Sequence, residues 1–295
     1  MPSLKDIRGR IGSVRNIAQI TRAMEMVAAS RMKRAQDSIL AARPYADELE
    51  DALRRVVGAE SLTDVNPLLA RRPIRRVAMI VITTDRGLAG SLNANATRAV
   101  LRWVADRASG DGDNRPTEIE AITVGRKGRD ALRRASVPIA AHFTQLGDRP
   151  SFADVTPIAR LVTEDFLAEK YDEIDIAYST FVSTLTQRPQ IVTLLPVERP
   201  EMGEEHQRTN DEYLFEPSPE AVLSRLLPHY VAIGIYRAVL ENNASEQSAR
   251  MIAMRNSTEN ANELIGDLTL VYNKTRQATI TREMIEIASG AEALG

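Results

Sequence analysis

Apolar residues near the end of the chain recur every three or four positions over a stretch that nothing interrupts. From His229 to Ser289 there is no proline, and the only glycines are Gly234 and Gly266. A single helix of roughly 90 Å is predicted there, at about 1.5 Å per residue. Within it Val239, Leu240, Ala244 and Met251, then Leu264, Leu268, Val271, Thr275 and Ala278, form a narrow stripe of the coiled-coil kind. The other terminus offers a partner. Ser3 to Arg43 also lacks proline, and Ile7, Ile11, Val14, Ile17, Thr21, Met24, Ala28 and Met32 form a similar seam. Alanines on and beside that seam allow close helix approach, but a strict seven-residue repeat is not evident, so no ideal supercoil is expected.

Between these helices the period changes. Pro67 and Pro73 close the first helical region, and Val77 to Thr83 is a continuous apolar run, the mark of a buried parallel strand. The glycine-bearing turn Asp85 to Gly90 leads into a helix through about Ala108. Further strands are predicted at Ile119–Val124, Ile174–Thr180 and Ile191–Val197. Helices are predicted at Lys127–Ala135 and at Phe152–Leu167, the second perturbed by Pro157. Residues 109–117 read as a surface loop, and 198–219 as a polar, proline-bearing approach to the last helix, where Pro228 breaks, kinks or begins it. The expected fold is α/β. A small, mostly parallel sheet with Rossmann-like layering (74–200) lies between an N-terminal helix (1–60) and a C-terminal helix (219–289), which form a long antiparallel coiled coil.

Charge changes this picture locally. The chain as a whole carries -2, which argues against a polyelectrolyte binder, and no nucleic-acid partner is expected. Residues 1 to 34 hold eight basic side chains against Asp6 and Glu25, a segment that seeks an acidic surface. An Arg-rich, acid-poor start is also the style of a mitochondrial transit peptide, but the seam begins by Ile7 and runs on without a break. There is no cysteine, which excludes disulfides, thiolate catalysis and cysteine-ligated metals.

Candidate chemistry is sparse. Gly87 and Gly90 give G-x-x-G, not the G-x-G-x-x-G of a dinucleotide site, and no acidic residue ends the second strand. Gly125-Arg126-Lys127-Gly128 lacks the spacing of a P-loop. Asp85 with Arg86 reads as a turn-stabilising pair, and His142, His206 and His229 fall in unrelated elements. No catalytic set, metal or cofactor is expected.

Several longer motifs carry a resemblance. Ile20-Thr21-Arg22-Ala23-Met24-Glu25-Met26-Val27-Ala28-Ala29-Ser30, the turn Thr84-Asp85-Arg86-Gly87-Leu88 and Ala244-Ser245-Glu246-Gln247-Ser248-Ala249-Arg250-Met251 resemble the gamma subunit of F-type ATP synthase. So do Val271 to Ala278 and Ile280 to Ala291, so that the likeness covers essentially the whole chain in order. The resemblance implies a non-catalytic central-stalk rotor. It would turn inside a ring of alpha and beta subunits, and its foot would rest with epsilon on the membrane c ring, one copy per complex. It also implies that Arg276, Gln277, Thr281, Glu283 and Met24 meet the beta subunit, and that Tyr213 and Glu216 belong to the foot that meets the c ring and epsilon. Ala89 stands where the family often has cysteine, which removes thiol control. The expected location is the cytoplasmic side of a bacterial cell membrane, held there through partners, with the matrix side of the mitochondrial inner membrane as the alternative. A coiled-coil adaptor that uses the basic helix on an acidic partner is the rival reading.

Overall fold

The computed structural model describes residues 3–59, 66–109, 116–198, 216 and 218–292. Two helices dominate: α1, Leu4–Ala59, and the last helix, Pro219–Glu292. Between them, in chain order, lie β1 (Arg76–Ile82), α2 (Leu92–Ser109), β2 (Glu118–Val124), α3 (Arg126–Arg134), β3 (Ile139–Phe143), α4 (Phe152–Leu167), β4 (Glu173–Phe181) and β5 (Gln187–Leu195). The last helix is accordingly α5. The chain divides into two compact units, one of residues 1–29 with 250–295 and one of residues 30–249.

In the first unit α1 and α5 run antiparallel, because Thr21 meets Thr258 (Oγ1 to Oγ1, 2.7 Å) and Glu25 accepts from Arg255 (2.9 Å). Along the whole of α1 the less exposed positions keep an unbroken three-four spacing: Ile7, Ile11, Val14, Ala18, Thr21, Glu25, Ala28, Met32, Ala35 and onward to Val56. This is a regular heptad seam, where an irregular one was expected. Ile17, expected on the seam, is half exposed, and Ala18 takes its place. On α5 the seam is Met254, Thr258, Ala261, Ile265, Leu268, Tyr272, Thr275 and Thr279. The expected stripe members Leu264, Val271 and Ala278 lie outside it, exposed. Several interior side chains are small or carry hydroxyls, among them Ala18, Thr258, Ala261 and Thr279, so apolarity alone misplaces some seam positions by one.

In the second unit the sheet order is β3-β2-β1-β4-β5, with β5 alone antiparallel. Alternation along β1 distributes its side chains between two cores. Ala78, Ile80 and Ile82 face a large core with α4, Leu53 and Val56 of α1, and Leu223 to Val239 of α5. Met79 and Val81 face a smaller one with Val100 of α2 and Leu132 of α3. A period of two is what a pleated strand covered on both faces requires.

Two strands differ from expectation. β3 is an additional edge strand, short and only half buried, with a register shift against β2, so it lacks the apolar run that identifies central strands. β5 begins at Gln187, four residues before the expected start, and tolerates Pro189 because an edge strand has one unpaired side. Pro157 lies inside α4, which Ser151 and Asp154 open with a reciprocal capping box. Pro228 lies inside α5, and the helix starts at Pro219, where the fixed φ of proline suits a first turn.

Candidate functional sites: a self-capped crevice and an exposed helix end

In open α/β sheets ligands bind beyond the carboxyl ends of the strands where strand order reverses. In this sheet the reversal falls at β1, between β2 and β4. The turns after β1, β2 and β3 do enclose a cavity of about 280 Å³, lined by Asp85, Arg126, Gln145 and Asp148 and closed by Asn242 and Glu246 of α5.

The phosphate position of that crevice is occupied by the protein itself. A helix N-terminus attracts anions through its unpaired N–H groups. At α3 each of these is satisfied internally. Arg126 N donates to Asp85 Oδ1 (3.0 Å), Lys127 N to Thr84 O (3.1 Å) and Gly128 N to Thr83 Oγ1 (2.8 Å). Gly125 N donates to Phe143 O (2.8 Å). The second carboxylate oxygen of Asp85 accepts from Gln145 N (2.8 Å). One side chain thus ties together the turns that follow three parallel strands. The glycines of Gly125-Arg126-Lys127-Gly128 permit this close approach: a Cβ on Gly125 would lie 2.2 Å from Thr83 O, and one on Gly128 2.7 Å from Thr83 Oγ1. Asp85 therefore does stabilise the turns, but its partners are Arg126 and Gln145, with the Arg126 guanidinium 3.8 Å away, and not Arg86, which is exposed.

A second cluster lies at the start of β4. Glu173 and Asp175 are buried beneath α2, and Arg107 reaches both, at 2.5 and 3.6 Å. Burial, reinforced by the charge of Glu173, pushes Asp175 up to about 7, against the opposing pull of a hydrogen bond with Thr193 and of the Arg107 charge. Sequence reading did not single out this pair. The alternation Glu-Ile-Asp-Ile at a strand start, acidic on one face and apolar on the other, was the available signal.

The histidines occupy separate places. His142 faces Thr123 Oγ1 (3.1 Å) and Arg129 (3.0 Å), His229 bonds the Tyr45 hydroxyl (2.6 Å), and His206 lies outside the described residues.

The residues expected to meet partners are distributed differently. Arg276, Gln277, Thr281 and Glu283 are all exposed on the last turns of α5, and Thr281 Oγ1 donates to Gln277 O (2.9 Å). Met24 is half buried beside the seam residue Glu25. Glu216 is exposed, and Tyr213 lies outside the described residues. The same helix end carries exposed apolar side chains: Leu270 (71%), Val271, Ile280, Met284, Ile285 and Ile287 (72%). On α1, Ile17, Ile20, Met26 and Val27 are likewise exposed. The helix pair buries its own seam and leaves a second apolar set outside it, which marks interaction surfaces. Gly9, Gly12 and Gly266 add to this, since a Cβ there would meet nothing within 4 Å. Among the described residues nothing requires a glycine at these helical positions, although each costs roughly 0.5–1 kcal/mol relative to alanine.

An α/β layer whose crevice-facing helix N-terminus is capped by its own carboxylate, joined in sequence to a terminal helix pair with apolar outer faces, defines the class of protein. The chain belongs to the ATP synthase family, whose family model, described as ATP synthase, matches residues 3–294. It is 51% identical over 295 residues to the ATP synthase gamma chain of Roseiflexus castenholzii, covering 100% of this chain and 99% of that one. It is 46% identical to the ATP synthase gamma chain of Dehalococcoides mccartyi, covering both fully. Among solved structures it resembles a chain of the Tetrahymena thermophila mitochondrial ATP synthase central stalk and c ring, with TM-score 0.60, 26% identity and coverage of 80% of this chain and 98% of that one. It shares its fold with a chain from an Euglena gracilis mitochondrial ATP synthase structure of F1 and the c ring, with TM-score 0.64, 20% identity and coverage of 99% and 94%. Among the described residues no helix is long and apolar enough to cross a membrane.

Proposed function

We propose that this chain is the rotating central-stalk subunit of a proton-translocating F-type ATP synthase, coupling rotation of a membrane c ring to ATP synthesis or hydrolysis on beta subunits. The observation that carries the proposal is the second apolar set on the helix pair, outside its own seam. A helix end exposed on all sides from Thr281 to Ser289 is a marginal structure alone and a reasonable one inside a sleeve of other subunits.

The mechanism requires no active site in this chain. To drive three catalytic subunits in turn, a rotor must interact differently with each of their conformations, because only differential affinity shifts an equilibrium. An asymmetric helix face does this. On α5, Ile280, Met284 and Ile287 share an arc with the polar Arg276, Gln277 and Glu283 by helical spacing, so rotation brings one mixed apolar and charged face to each catalytic subunit in turn. Arg276, Gln277, Thr281, Glu283 and Met24 are the proposed beta contacts. Tyr213 and Glu216 are the proposed contacts of the foot with the c ring and epsilon. The subunit would be present in one copy and held at the cytoplasmic face of a bacterial membrane through the c ring.

The test is reconstitution with alpha and beta subunits, followed by native mass and ATP hydrolysis. An assembly of three alpha, three beta and one copy of this chain, with turnover that depends on this chain, is the expected result. A chain that stays free of both subunits refutes the proposal and favours the adaptor.

A further inference from the structure

In the second unit α5 changes the way it holds the α/β layer partway along its length. From Leu223 to Val239 the contact is apolar, through Leu223, Leu227, Val231, Ile235 and Val239. Over the next turns most of the buried side chains are polar: beside Ala244 lie Asn242, Asn243, Ser245, Gln247 and Ser248, none more than 8% exposed. Four of them, Asn242, Asn243, Ser245 and Ser248, hold the layer directly. They form five bonds to three separate parts of the layer. Ser245 Oγ donates to Ser179 O (2.9 Å), and Asn242 Oδ1 accepts from Ser179 N (3.4 Å), both at β4. Ser248 Oγ donates to Thr184 O (2.6 Å) and accepts from Gln187 Nε2 (3.3 Å), at the β4–β5 turn. Asn243 Nδ2 donates to Asp148 O (3.1 Å), in the β3–α4 loop, and the Asp148 carboxylate is in turn held by Arg31 of α1 (2.8 Å).

The placement of these residues around the helix matters. Asn242, Ser245 and Ser248 are three apart and lie on one arc, while Asn243 projects from another side. The helix is therefore gripped from two directions. Apolar burial is non-directional and resists separation, whereas hydrogen bonds accept only narrow ranges of distance and angle. Such bonds add little net stability each, about 0.5–1.5 kcal/mol. What they add is orientation: a roll of α5 about its own axis breaks all of them together.

We infer that Asn242, Asn243, Ser245 and Ser248 are positioning residues that lock the angular phase of α5 to the α/β layer, so that torque on the layer reaches the helix without slip. The inference rests on the central-stalk reading and assigns to the Asn242–Ser248 segment a role that the apolar core does not perform.

The test uses the complex of this chain with alpha and beta subunits, with the ring fixed to a surface. The chain lacks cysteine, so Ala105→Cys on the exposed side of α2 gives one attachment point for a rod whose thermal angular spread is recorded. Ser245→Ala/Ser248→Ala removes three of the five bonds and keeps helix propensity. It is expected to widen the angular variance about two-fold, because fewer directional bonds resist roll. Val231→Ala, a cavity in the apolar contact, is the control and is expected to lower stability without widening the spread. Equal variance in wild type and double variant overturns the inference, as does equal widening by Val231→Ala. Should the double variant fail to assemble, Asn243→Ala reads the same quantity, and an unchanged variance there overturns the inference equally. Hydrolysis that depends on this chain, measured on the unsubstituted complex, tests the central-stalk reading separately.

Discussion

Replacing Asp85 by alanine removes the anion that sits at the N-terminus of α3. Two backbone donors lose their acceptor, Arg126 N at 3.0 Å and Gln145 N at 2.8 Å. A hydrogen bond to a charged group contributes about 1.5–3 kcal/mol, and a carboxylate at a helix N-terminus a further 0.3–1 kcal/mol or so. Partial exposure of Asp85 places both near their lower limits, so Asp85→Ala is expected to cost about 3–4 kcal/mol. Asp85→Asn keeps the shape and one acceptor oxygen and is expected to cost roughly half of that. The assay is urea unfolding followed by the fluorescence of Trp103, the only tryptophan, which packs against the smaller core of the α/β layer. At about 2–4 °C per kcal/mol for a domain of this size, the alanine variant should melt roughly 10 °C lower. The vacated position also makes a distinct prediction. Sulfate or phosphate should stabilise the alanine variant in a saturable way, beyond its general effect on the wild type, and chloride at equal ionic strength should not. A loss below about 1 kcal/mol, with no differential response to oxyanions, would refute the assignment of Asp85 as an internal anion.

Other expectations concern different parts of the molecule. Asp175 holds its proton more tightly folded than unfolded, so its contribution to stability is complete below about pH 4 and is lost as pH rises through about 7. Asp175→Asn should flatten that interval and leave the variant more stable than wild type at pH 8 by about 2–4 kcal/mol; parallel pH profiles of the two proteins would contradict this. Arg276→Ala/Gln277→Ala should lower coupled ATP synthesis while subunit assembly, checked by native mass, is retained, and unchanged synthesis removes these residues from the proposed beta contact. Met24→Lys should weaken coupling more than Met24→Leu, measured as protons moved per ATP hydrolysed, if an acidic partner faces this position. Equal behaviour removes the electrostatic argument.

The legible part of the fold was the part dictated by local chemistry. The apolar run at Val77 announces a central strand, and the Phe152–Leu167 helix is found with its expected bounds. The heptad seam was less visible at two positions, because Ala18 and Glu25, which stand where Ile17 and Met24 were expected, are seam residues by position and not by hydrophobicity. Their fitness lies in small size for Ala18 and, for Glu25, in a cross-helix bond with Arg255, which joins residues more than 200 positions apart. The same applies to Asp85. Its neighbour Arg86 suggests a local pair, and its true partners, Arg126 and Gln145, are 41 and 60 residues away. The role proposed for Arg276 and Gln277 rests on motif resemblance alone, since it depends on a surface that would belong to other chains.

The unaccompanied end of α5 bears on how much of this protein a cell retains. Lys274, Arg276 and Arg282 are exposed along a helix that α1 does not shield at its last turns, and trypsin should cleave there first in the free chain. Within an assembled ring the same bonds should be out of reach. Surplus copies would then be degraded while incorporated ones persist, and subunit balance would be corrected after synthesis by selective turnover. A pulse-chase comparison of the chain expressed with and without alpha and beta subunits measures this directly, and equal half-lives would argue that the exposed helix end carries no such liability.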